Sequence, residues 1–195
     1  MKIGLLFGSF NPVHIGHLII ANSMIDLALL DEVWLVVTPL NPFKKQNELI
    51  SETERLNMVK LAIKDNPRLK TSDIEFSLPK PNYTIDTLLF LKDTYPKHEF
   101  FLVMGEDNLV KFDQWKDYDL IFENFEVLVY PRPYVPNTQL KIHPRVHIYN
   151  CPLLDISSTY IRENLKYGKS IKYLVPQHVE EYLLKNVKKN VPIAK

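Results

Sequence analysis

Apolar residues fall into two kinds of block along this chain. Short runs rich in Val, Leu and Phe occupy residues 2–7 (KIGLLF), 33–38 (VWLVVT), 99–104 (EFFLVM) and 126–130 (EVLVY). Runs of that length and composition predict strands buried on both faces. Between them apolar residues recur at helical spacing. Over residues 15–30, Leu18, Ile19, Met24, Ile25 and Leu29 do so, and further helices are expected over 51–66, 84–94, 117–123, 158–166 and 176–185. Ser51 and Glu54 have capping-box spacing at one start, Gly168 follows one end, and Pro176 stands near the last start. Residues 70–76 read as an edge strand and 146–149 as a further strand.

Strands alternating with helices predict an α/β fold, a Rossmann-like parallel sheet with helices on both faces. Ligands of such sheets bind beyond the carboxyl ends of the strands. The loops after Phe7, Thr38, Met104 and Tyr130 are therefore where chemistry is expected. At 195 residues, with no repeat or composition break, residues 1–195 read as a single domain.

Composition narrows the partners. Net charge is +1, so any anion site is local, and neither nucleic acid nor a membrane surface is an expected partner. No run approaches the ~20 apolar residues of a membrane span, and residues 1–7 are too short for a signal peptide. The single cysteine, Cys151, cannot form an internal disulfide and reads as a buried small hydrophobe, so a cytoplasmic setting is expected. A homo-oligomer is left open.

The densest chemistry lies in Gly8-Ser9-Phe10-Asn11-Pro12-Val13-His14-Ile15-Gly16-His17, between the first strand and first helix. A helix start offers free amides and partial positive charge to phosphate. Gly8 permits close backbone approach. His14 and His17, three apart, share a helix face, whereas two exposed polar histidines are the plainer reading. Gly16 between them costs ~1 kcal/mol inside a helix, which implies a close packing partner. Far downstream, Ser157-Ser158-Thr159 precedes Arg162. Those hydroxyls can cap a helix or hold phosphate oxygens, and Arg162 adds a forked cation.

The first string resembles the HxGH signature, and Ile156–Arg162 the ISSTxIR motif, of the nucleotidylyltransferase superfamily (HIGH type). Asn82-Tyr83-Thr84-Ile85-Asp86-Thr87-Leu88 is similar to a string of its bacterial nicotinate-nucleotide adenylyltransferase family, and Met104-Gly105-Glu106-Asp107-Asn108 with Trp115 beyond it looks like another. The sequence departs from that family at Phe7, where a glycine is usual, and at Glu106, where a small residue is usual.

The resemblance implies transfer of the adenylyl group of ATP to nicotinate mononucleotide, giving deamido-NAD and pyrophosphate. Nicotinamide mononucleotide or another phosphate acceptor is the alternative. It implies catalytic roles for His14, His17 and Arg162, and ATP contacts from Gly8, Ser9, Phe10, Gly105, Asp107, Arg132, Ser157, Ser158 and Thr159. Acceptor contacts would come from Lys44, Lys45, Tyr83, Thr84 and Trp115. Mg2+ would arrive with ATP, with no protein metal site. A non-catalytic nucleotide-binding module would lack the histidines or the arginine. An aminoacyl-tRNA synthetase would need a basic RNA-binding domain, and neither a Walker A loop nor a Gly-x-Ser-x-Gly elbow is present.

Overall fold

A computed structural model describes residues 1–40 and 49–187. Its strands are β1 (Lys2–Gly8), β2 (Glu32–Val37), β3 (Leu69–Ser72), β4 (Glu99–Gly105), β5 (Glu126–Tyr130) and β6 (Val146–Ile148). They form one parallel sheet in the order β3-β2-β1-β4-β5-β6. The helices are α1 (Ile15–Leu27), α2 (Glu52–Ala62), α3 (Thr84–Thr94), α4 (Glu106–Leu109), α5 (Tyr118–Asn124), α6 (Ser158–Lys166) and α7 (Gln177–Tyr182).

Alternation along the strands builds two cores. Leu6, Val33, Leu35, Val37, Val103 and Leu128 face one side, where α1, α2, α6 and α7 contribute Met24, Ile25, Val59, Ile161 and Val179. Ile3, Leu5, Val36, Leu102, Met104, Val127 and Val129 face the other, against Ile85, Leu88 and Leu91 of α3 and Ile121 and Phe122 of α5. Each fully buried Leu, Ile, Val or Phe contributes ~1.5–3 kcal/mol, which explains runs with no polar alternation. Cys151 is buried in the first core, its thiol 3.5 Å from the Met24 sulfur.

Helix ends depart from expectation where one backbone angle turns the chain. The first helix stops at Leu27 rather than residue 30, because Leu29 adopts φ +52 and stands exposed while Leu30 turns into the core. α2 stops at Ala62, short of Asn66, with Ile63 as its cap. Ser51 caps α2 by accepting from the Glu54 amide, but the Glu54 carboxylate receives the Ser51 hydroxyl rather than its amide. The edge strand ends at Ser72, and residues 74–76 form a 3-10 turn that buries Glu75. Gly168, at φ +66, closes α6 with Schellman bonds from its own amide to Leu165 and from the Lys169 amide to Asn164. Pro176 occupies the N-cap of α7, which gives way after Tyr182 to a π-helical turn. The one-turn α4 and the 3-10 turns Phe112–Gln114 and Gln139–Ile142 are too short to carry a readable period. No described helix is long and apolar enough to cross a membrane.

The strand order reverses between β1 and β4, whose outgoing connections leave in opposite directions. A crevice forms there at the carboxyl ends.

Candidate active site

That crevice is a cleft of about 670 Å3. Its walls come from the end of β1 and start of α1 (Gly8, Ser9, Phe10, His14, His17), from α4 (Asp107, Asn108), from the end of β5 (Tyr130, Arg132), and from the start of α6 (Ser157, Ser158, Thr159, Arg162). Residues more than 140 positions apart in sequence thus share one cavity.

His14 is the N-cap of α1 and is 5% exposed, not an exposed polar side chain. Its ring stacks on that of His17, centroids 3.6 Å apart. Burial, aided by the Arg132 charge, lowers its pKa to about 4, so it is neutral at pH 7. Its Nδ1 is buried and has no hydrogen-bond partner among the described residues. The packing partner implied by Gly16 is this ring: a Cβ there would lie 3.0 Å from His14 Nδ1. Nδ1 of His17 accepts from the His14 amide at 3.2 Å. With Nδ1 acting as acceptor, the neutral His17 ring carries its proton on Nε2. His17 thereby takes the place that Glu or Gln holds in a capping box.

Two expectations for this loop change. The amides of His14 and Ile15 are already spent, the latter on the Leu174 carbonyl, so the start of α1 offers phosphate fewer free donors than its sequence suggested. The space over Gly8 is filled by Phe10, whose ring would lie 2.8 Å from a Cβ at that position. Phe10 itself is held at φ +44, a conformation costly for a non-glycine residue.

At the start of α6, Ser157 is the cap and accepts from the Tyr160 amide. Ser158 donates to the Pro12 carbonyl at 2.8 Å, and Arg162 donates to the Asn11 carbonyl at 2.9 Å and to the Thr159 hydroxyl at 3.3 Å. The second motif is therefore bound directly to the loop carrying the first.

Gly105 precedes α4 in a tight place, where a Cβ would push the Asp107 carboxylate aside and lie 3.2 Å from Arg132 Cγ. Asp107 and Arg132 form an ion pair at 3.6 Å in the cleft. Glu106 turns the other way: it pairs with Lys141 and receives the Arg132 amide at 3.4 Å. Tyr130 lines the cleft, and its phenol is pushed up to about 12, by burial first.

Tyr83, Thr84 and Trp115 do not line this cleft. Tyr83 and Trp115 pack instead against the second core. Tyr83 is the N-cap of α3 and Thr84 its first helical residue. Trp115 is half-buried against Phe112, centroids 5.2 Å apart, and Lys116 lies 4.9 Å over the Tyr83 ring. Lys44 and Lys45 lie outside the described residues.

Arg55 was missed in the sequence. It is 1% exposed and donates to four carbonyls: Ser9 and Thr38 at 2.7 Å, Pro39 at 2.9 Å and Ile50 at 3.0 Å. Burial pulls its pKa down, and only a guanidinium has enough donors for such a set. The available signal was its spacing with Val59 and Ala62, which puts Arg55 on the buried face of α2. Asn11 Oδ1 accepts from the Ile50 amide at 3.1 Å, linking the same segments.

The family model for cytidylyltransferase-like proteins matches residues 5–164. A protein of Cytophaga hutchinsonii named "Probable nicotinate-nucleotide adenylyltransferase" is 54% identical over 94% of this chain and 96% of its own length. One of the same name from Flavobacterium johnsoniae is 52% identical over 94% and 96%. In fold, the chain is similar to nicotinic acid mononucleotide adenylyltransferase of Plasmodium falciparum complexed with NaAD, with a TM-score of 0.82 at 24% identity over 96% of this chain and 97% of that one.

Proposed function

The chain belongs to the cytidylyltransferase-like family and, within it, to the nicotinate-nucleotide adenylyltransferases, and from that premise we propose how its cleft works. The protein transfers the adenylyl group of ATP to nicotinate mononucleotide, forming deamido-NAD and releasing pyrophosphate. The convergence of His14, His17, Arg132 and Arg162 in one cleft at the strand ends carries the reading of the site.

The acceptor phosphate is already an anion at neutral pH. One of its oxygens attacks the α-phosphorus of ATP in line. The bond to the bridging oxygen breaks, and pyrophosphate leaves with that electron pair. No protein nucleophile or base is needed, so the side chains position two anions and offset charge in the transition state. The Nε2–H of His17 donates to a phosphate oxygen, an orientation that the bond at Nδ1 enforces. Arg162, placed by Asn11 and Thr159, presents its fork to the phosphate chain. Asp107 takes the adenosine ribose hydroxyls, and Arg132 lies beside it. Among the described residues no group of three His, Cys, Asp or Glu could hold a metal. Mg2+ would arrive with ATP and would offset charge on the leaving pyrophosphate.

Tyr83, Thr84 and Trp115 form the acceptor end, with the ring of nicotinate on the indole and its carboxylate at the amides opening α3. Lys44 and Lys45 hold the acceptor phosphate. Donors aimed at both carboxylate oxygens meet an NH2 in the amide analogue, a mismatch that discriminates strongly. The buried free cysteine suits a reducing cytoplasm.

Pyrophosphate release from ATP and Mg2+, with nicotinate mononucleotide and nicotinamide mononucleotide side by side, tests the reading. A marked preference for the acid is expected. Equal rates would overturn the account of acceptor choice, and silence with both would overturn the function.

A further inference from the structure

The segment proposed to receive the acceptor hangs between two bonds to one buried residue. Glu75 is 1% exposed, in the 3-10 turn after β3. Its carboxyl accepts from the Thr87 hydroxyl at 2.8 Å, in the first turn of α3, and Thr87 is itself fully buried. Its backbone carbonyl accepts from the Asn82 side chain at 2.9 Å. Asn82 stands just before Tyr83, and its amide donates to the Leu40 carbonyl beyond β2. Residues 82–87 are thus held at both ends, and through Leu40 they are tied to the chain leaving β2.

Burying a carboxyl is unfavourable unless it secures something, and a leucine of similar size would avoid that cost. Burial raises the pKa of Glu75, which favours the neutral acid. Its second oxygen has no hydrogen-bond partner among the described residues, so its bonding is concentrated on α3.

We propose that Glu75 is a positioning residue for the acceptor: it sets the amides of Tyr83 and Thr84 against the acceptor carboxylate without touching it. The proposal rests on the acceptor reading given above. It separates two halves of the site, since the ATP side is held by the Ser158–Pro12 and Arg162–Asn11 contacts, which do not pass through Glu75.

The test compares Glu75→Gln, Glu75→Ala and Thr87→Val in the full chain. Steady-state kinetics with nicotinate mononucleotide are set beside MgATP binding by titration calorimetry without acceptor. Glu75→Ala and Thr87→Val are expected to raise the acceptor KM about tenfold or more, leaving kcat and the ATP Kd within about threefold. Glu75→Gln, which offers Thr87 the same oxygen, stays within about threefold of wild type throughout. If Glu75→Ala fails to fold, Thr87→Val carries the test alone. An unchanged acceptor KM in Thr87→Val, an equal loss of ATP binding, or a Gln variant as impaired as Ala overturns the proposal. Wild-type protein that binds MgATP but makes no product from nicotinate mononucleotide overturns the underlying reading, and the proposal with it.

Discussion

Gly16 and the ring of His14 compete for one volume: a Cβ on Gly16 would lie 3.0 Å from Nδ1 and 3.1 Å from Cε1 of His14. Any retreat would break its stack on His17 and move it into the cleft. Alanine normally stabilises a helix over glycine by ~1 kcal/mol. Gly16→Ala is expected instead to leave Tm no higher than wild type and to lower kcat/KM about a hundredfold. A variant that is both more stable and fully active would show that the ring is not confined.

The two nitrogens of His17 do different work, and substitution can separate them. Asparagine can accept from the His14 amide as Nδ1 does, but offers nothing where Nε2–H points. His17→Asn is expected to keep Tm close to wild type while kcat/KM falls at least about a hundredfold, and His17→Ala loses both. Activity of either variant within about tenfold of wild type would remove His17 from the chemistry.

His14 makes stability depend on pH. Its pKa is about 4 when folded and 6.5 by reference, so the unfolded chain takes up the proton first as pH falls. The stability tied to its neutral form is complete above pH 6.5 and is lost down to about pH 4, roughly 3 kcal/mol in all. Unfolding of wild type and His14→Asn from pH 7 to 4 should converge toward acid. Curves that stay parallel would mean that His14 titrates normally.

Glu106 bears on the nucleotide side. Its carboxylate engages Lys141 and the Arg132 amide, behind the Asp107–Arg132 pair. Glu106→Ala is expected to raise the ATP KM several-fold, about 1 kcal/mol, with the preference for acid over amide acceptor unchanged. A shifted acceptor preference would move Glu106 to the other half of the site.

The sheet was readable because strands buried on both faces leave a sequence signature that few other structures share. Residues 84–94, 126–130 and 158–166 match their elements end to end. Helix ends were less readable where one backbone angle decides them, as at Leu29. The two motifs identified the cleft, but the sequence could not say that His14 would be buried or that Ser157 would be the cap. Arg55 and Glu75 were invisible for a common reason. Each bonds to groups from other segments: Arg55 to backbone carbonyls, which exist at every position and leave no mark on sequence, and Glu75 to Thr87 and Asn82, whose distance along the chain hides the pairing. Only their places on otherwise apolar faces hinted at them.

Arg55 grips Thr38 and Pro39 on one side and Ile50 on the other, so one cation clasps both stems of the stretch that carries Lys44 and Lys45. Clasped stems make a cassette of what lies between them: its entry and exit points are fixed by Arg55 and not by its own residues. The same cation holds Ser9 beside the paired histidines, so a change within the cassette leaves the nucleotide end in register. On the acceptor role proposed for Lys44 and Lys45, a change in what the protein accepts would then leave the donor end untouched.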